Sequence, residues 1–190
     1  MKMSYARLAR TGQALVFLLL LLAINASAKK RDPLSEVEVD QLREVAMEPL
    51  KRLQLYIKFA EMRLTEVDRL RGGPKEAQGR GKRIHDLLED FTAILDEIND
   101  NLDQYQGRPL DKDLKKEFRK GLKEVLEAGA KWEARIATLK SAASADPLAK
   151  KESSDYRYVL QDAGDALKST VDVAREYAET KEPEPAAKIK

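Results

Sequence analysis

Cysteine is absent from all 190 residues. That excludes a disulfide framework, an acyl-cysteine lipid anchor, thiolate metal sites, iron–sulfur ligation and covalent haem attachment. Histidine and tryptophan occur once each, as His85 and Trp132. A lone histidine leaves no His-rich metal cluster, and no nucleophile stands at a fixed spacing from it to build a catalytic dyad. Beyond Lys29 there is no Asn-x-Ser/Thr acceptor for a glycan. Alternating apolar and polar runs flanked by hairpin turns are missing too, so strands are not expected.

Long apolar runs are equally scarce, and the single one is informative. Ala14–Ile24 reads ALVFLLLLLAI, preceded by Lys2, Arg7 and Arg10 and followed by Ala26-Ser27-Ala28. A basic start, a short apolar stretch and a small-x-small end predict a secretory signal peptide over residues 1–28, cleaved between Ala28 and Lys29. The run is shorter than the roughly 20 residues a membrane-spanning helix needs, so no transmembrane anchor is expected after processing. The full chain carries 35 Lys+Arg against 33 Asp+Glu, but residues 29–190 carry 32 against 33. The basic excess therefore belongs to the signal, and bulk charge offers no reason to expect a nucleic-acid partner.

Four stretches of helical periodicity make up most of the rest. After a short arm over 29–33, Ser35-x-x-Glu38 fits a capping box that opens the first helix. Its stripe runs Val39, Leu42, Ala46, Leu53, Ile57, Ala60, Leu64 and Val67, with a kink or break expected near Pro49. Residues 71–83 hold four glycines and a proline and read as a mobile basic loop. The second predicted helix, about 82–105, carries the seam Ile84, Leu88, Phe91, Leu95, Ile98, Leu102 and Tyr105. Gly107-Arg108-Pro109 predicts a tight turn into the third, about 110–140, with Leu114, Phe118, Leu122, Val125, Gly129, Trp132, Ile136 and Leu139. The fourth, about 154–180, presents Tyr156, Leu160, Ala163, Leu167, Val171, Ala174 and Tyr177. Residues 181–190 (KEPEPAAKIK) read as a disordered tail. One-striped helices must bury their stripes, so the expected fold is all-α, an antiparallel up-down bundle of about four helices over residues 34–180.

Charge suggests how the helices are arranged. Asp86 to Asp103 holds seven acids and no Lys or Arg, while Lys112, Lys115, Lys116, Arg119, Lys120 and Lys123 crowd the next helix. A tight turn makes these helices antiparallel neighbours, with Asp103 facing Lys112, Asp100 facing Lys115 and Asp96 facing Arg119; the alternative is that the basic patch recognises an acidic partner.

Chemical motifs are weak. Haem held between His85 and Met47 or Met62 is conceivable. The run Asp96–Asp103 lacks the central glycine of a calcium loop and lies inside a helical seam. Gly79–Arg83 falls short of a phosphate-binding loop, because Glu76 stands where glycine is needed and Arg83 where Ser or Thr should follow the lysine. Gly121, Gly129 and Gly164 each cost about 1 kcal/mol inside a helix. The expected compensation is close helix approach through Gly129 with Ala128 and through Ala163-Gly164; a pocket beside Trp132 is the alternative. No catalytic, cofactor-binding or metal residue is assigned. The expected function is non-catalytic: a periplasmic or secreted helical module that binds or braces another envelope or secreted protein, or a second copy of itself. The alternative is a carrier or sensor of haem, lipid or metal in the bundle core.

Overall fold

The first predicted helix contains its own stop. Helix α1 covers Glu36–Glu44, and α2 covers Pro49–Gly72. Between them the backbone turns at Val45–Glu48, with Ala46 N–H donating to Arg43 O at 3.3 Å and Glu48 N–H to Val45 O at 2.9 Å. Pro49 then sits in the first turn of α2, where its missing N–H costs nothing. In this computed structural model the described residues are 31–73, 79–105, 110–145, 151 and 153–180. The predicted signal and its Ala28–Lys29 cleavage site, residues 29 and 30 of the arm, and the 181–190 tail lie outside them.

Three further helices follow: α3 (Arg80–Asp103), α4 (Lys112–Ala143) and α5 (Arg157–Glu179). The described residues are thus all-helical, with five helices instead of about four and no strand among them. The chain divides between Asp32 and Pro33, and all five helices lie in the second unit. Their starts follow local chemistry. Ser35 Oγ accepts from Glu38 N–H while Glu38 Oε2 accepts from Ser35 N–H at 2.8 Å, completing the predicted capping box. Asp111 Oδ1 accepts from the N–H groups of Asp113 and Leu114. Gly79 takes a left-handed φ of 75° to turn into α3. Loop 71–83 is therefore shorter than predicted, because α2 persists to Gly72 and α3 already begins at Arg80; residues 74–78 lie outside the described residues.

Side-chain pairs give the directions. Tyr56 with Glu97 and Arg63 with Asp90 set α2 antiparallel to α3. Gly129 against Val171 and Gly164 against Lys140 set α4 antiparallel to α5. Gln54 with Glu124, Glu61 with Trp132 and Asp68 with Arg135 set α2 parallel to α4, about 70 residues apart in sequence. Gly81 against Asp155, just ahead of α5, and Asp103 with Tyr177, both 74 residues apart, set α3 parallel to α5. The four long helices form a square whose sides are α2–α3, α3–α5, α5–α4 and α4–α2. Helices α3 and α4 stand on its diagonal.

That corrects the expected α3–α4 hairpin. Helix α3 ends at Asp103 and α4 starts at Lys112, and the eight residues between are enough chain to cross a diagonal; Gly107-Arg108-Pro109 of the expected turn lie outside the described residues. Asp103 does not reach towards Lys112; it accepts from Tyr177 Oη of α5 at 2.6 Å. Core packing decides the arrangement. Across the diagonal Phe91 meets Trp132 edge-on, centroids 5.6 Å apart, and Tyr105 stacks on Phe118 at 4.8 Å. Each ring buries roughly 150–250 Å², far outweighing surface ion pairs worth a few tenths of a kcal/mol. Leu53, Phe59, Ile84, Leu88, Ile98 and Leu167 fill the remaining layers, each almost fully buried.

Candidate functional site

Two grooves flank α2, and they are filled differently. On the α3 side lies α1. Arg63 of α2 reaches out between them and donates to both oxygens of Glu38, at 2.7 and 2.6 Å, and to Pro33 O at 2.7 Å. Its Nε stands 3.6 Å from Asp90 Oδ2 of α3. All three side chains are nearly buried, at 12, 7 and 10% exposure for Arg63, Glu38 and Asp90. Burial pushes the Glu38 carboxyl up, but the Arg63 guanidinium and the Ser35 donors outweigh it and hold the group below its ordinary value. The arrangement clamps an acidic helix onto the bundle through one bidentate pair.

On the α4 side the groove is open. The α2–α4 wall is the most sparsely packed side of the square. It is drawn together by Gly121, which lets Leu53 and Leu50 approach, and at the other end by Arg135. Arg135 donates to Glu61 at 2.6 Å and Asp68 at 2.9 Å. Between those ends a concavity of about 650 Å³ is lined by Gln54, Ile57, Lys58, Glu61, Glu124, Glu127, Ala128, Lys131, Trp132 and Arg135. Half-buried Ile57 and Ala128 give it an apolar floor, and Trp132 lies buried at its base with Nε1–H donated to Glu61 Oε2 at 2.7 Å. Most of its charges are committed: Glu124 accepts from Gln54 at 2.9 Å, and Glu127 faces Lys123 at 3.6 Å. Lys58 and Lys131, both exposed, have no ion-pair or hydrogen-bond partner among the described residues.

The other sequence candidates do not converge. His85 is half-exposed on α3, with Nδ1 3.6 Å from Asp86 and 3.7 Å from Glu89. These three could present ligand atoms within 4.8 Å of one another, but the Lys82 ammonium already sits 2.9 Å from Asp86. Met47, 92% exposed beside the α2 N-terminus, is at the opposite end of the bundle from His85, and Met62 points outward. The acidic run 96–103 stays helical and fans out: Glu97 accepts from Tyr56 and Asp103 from Tyr177. At the start of α3 the Asp155 carboxylate fills the space beside Gly81, where a phosphate would have to lie. Gly129 is filled by Val171 and Gly164 by Lys140 and Ile136, the close approach expected for α4 and α5.

No protein-family model, curated protein or solved structure matches the chain. The site therefore stands on its own geometry. The alternative expectation, a pocket left beside Trp132 by missing glycine side chains, is a different feature: Gly129 and Gly164 are filled by Val171 and Lys140, and no glycine lines the α2–α4 concavity, whose Lys58 and Lys131 the sequence did not single out. Their proximity follows from the parallel α2–α4 register, for which no local motif codes.

Proposed function

We propose that this chain is an up-down bundle of four long helices, with α1 as an accessory fifth, acting as a non-catalytic protein-binding module in the periplasm or secreted milieu after cleavage behind Ala28. The observation that carries this reading is the open α2–α4 groove, with an apolar floor and charged walls of the kind that seat a helix. On the other flank of α2 a helix, α1, is already held, there through the Glu38–Arg63 pair. Against the core-carrier reading stands the core itself, where Phe91, Trp132, Ile98 and Leu167 occupy the axial space.

A photo-crosslinking side chain at Ala128, in the groove, compared with one at Asp162 on exposed α5, tests it. In the native compartment a discrete protein adduct is expected from position 128 alone. Equal labelling from both positions, or a small-molecule adduct retained in native mass spectrometry, would overturn the proposal. The same spectrum reads processing, with the mass of residues 29–190 expected.

A further inference from the structure

The groove carries a charge preference as well as a shape. Lys58 projects from α2 between the Gln54–Glu124 and Glu61–Trp132 rungs, and Lys131 from α4 next to the second rung. Because α2 and α4 run parallel, the two lysines stand on opposite walls within about one helical turn of each other along the axis. The carboxylates around them are used within the fold, Glu61 by Trp132 and Arg135, Glu124 by Gln54 and Lys120, Glu127 by Lys123. Counted with their pairing partners, Lys58, Lys131, Arg135, Lys120 and Lys123 stand against Glu61, Glu124, Glu127 and Asp68, and the two cations with no partner among the described residues, Lys58 and Lys131, stand on opposite rims of the apolar floor. On the other flank of α2 an acidic helix is already held: α1 has Glu36, Glu38, Asp40 and Glu44 against the single base Arg43, and it docks through Glu38 on Arg63.

We propose that the α2–α4 groove recognises an acidic amphipathic helix of a partner protein, with apolar side chains on Ile57 and Ala128 and carboxylates flanking them on Lys58 and Lys131. This rests on the groove being a protein-binding surface and adds the chemistry of what fills it. Opposite charge on the rims fixes the orientation and choice of partner more than it adds affinity.

Trp132, the chain's only tryptophan, lies at the base of the groove and makes its fluorescence a local reporter. Three helical peptides of about 18 residues, long enough to hold a helix, share one leucine stripe flanked by Glu, Gln or Lys. Each is titrated into the full chain. The Glu peptide is expected to shift Trp132 emission saturably and bind about tenfold more tightly than the Gln peptide. The Lys peptide is expected to bind more weakly still. In the doubly substituted Lys58→Glu/Lys131→Glu chain the order should reverse; both positions are exposed, and Lys58→Gln/Lys131→Gln should abolish the preference without inverting it. Saturable binding that ignores flanking charge would overturn this inference and leave the groove reading standing. If no peptide shifts the emission, the groove reading falls with it. A response to anionic phosphatidylglycerol vesicles with none to any peptide would overturn both in favour of a lipid surface.

Discussion

Gly129 and Gly164 are interchangeable by sequence, both glycines at a helix seam, yet their neighbours make them opposites. A Cβ at Gly129 would come 2.5 Å from Val171 Cγ2, part of a β-branched side chain with little freedom to move. One at Gly164 would meet the Lys140 ammonium, also at 2.5 Å, at the end of a flexible chain free to swing outward. Gly129→Ala is therefore expected to destabilise by about 1–3 kcal/mol through overpacking. Gly164→Ala is expected to stabilise by up to about 1 kcal/mol, since helix propensity is gained and only a lysine tip moves. Denaturant melts of the two variants separate the cases; equal shifts would mean the seams are alike. Tyr177 offers a second test. The hydrogen bond it donates to Asp103, with burial behind it, pushes its phenol up to about 12. A raised phenol contributes stability that is whole below about pH 10, the ordinary tyrosine value, and is lost as pH rises through about 12. Asp103→Asn should bring the Tyr177 phenolate absorbance back towards the ordinary range, and an unchanged titration would deny the bond.

At the scale of elements, α1 depends on one pair. Its nine residues are too few to hold a helix alone, so it persists by docking Glu38 on Arg63 and packing Leu42 against the core. Glu38→Gln leaves a guanidinium almost buried beside a weaker partner and should cost about 3 kcal/mol, read as early hydrogen exchange in α1. Because Glu38 is held below its ordinary value, its contribution is present above the unfolded carboxylate range and lost as pH falls through the folded value. Acid should therefore free α1 before it melts the bundle, and in Glu38→Gln that acid-dependent step should vanish. The elements themselves were largely legible in the sequence. The seam of α3 and the Ser35 capping box sit where periodicity and cap chemistry put them, since both are local. Helix ends were less legible: Arg80 joins α3 because its side chain is buried and donates to Gly73 O, a contact across the loop. The ion pair of Glu38 was invisible for the same reason, with its partner 25 residues away.

For the whole molecule, the decisive feature is which helices stand side by side. The sequence suggested that acids on α3 meet bases on α4; the aromatic pairs Phe91–Trp132 and Tyr105–Phe118 instead set those helices across the core from each other. Burial of large rings overrides surface charge, and that ranking appears only when all four helices are assembled. The groove was hidden likewise, since Lys58 and Lys131 share a site only through helices that are not consecutive. A cysteine-free chain makes the arrangement simple to check. A short bis-maleimide should bridge Asp103→Cys with Tyr177→Cys, across α3–α5, and fail with Asp100→Cys and Lys115→Cys; the reverse would restore the hairpin.

The stretch joining α3 to α4 has a consequence for how the protein could be divided. On one side of it lie the antiparallel pair α2 and α3 with α1 attached, on the other the antiparallel pair α4 and α5. Severed within 106–109, the two halves should seek each other in solution and rebuild the square as separate polypeptides, so that one chain behaves as a heterodimer whose subunits happen to be linked.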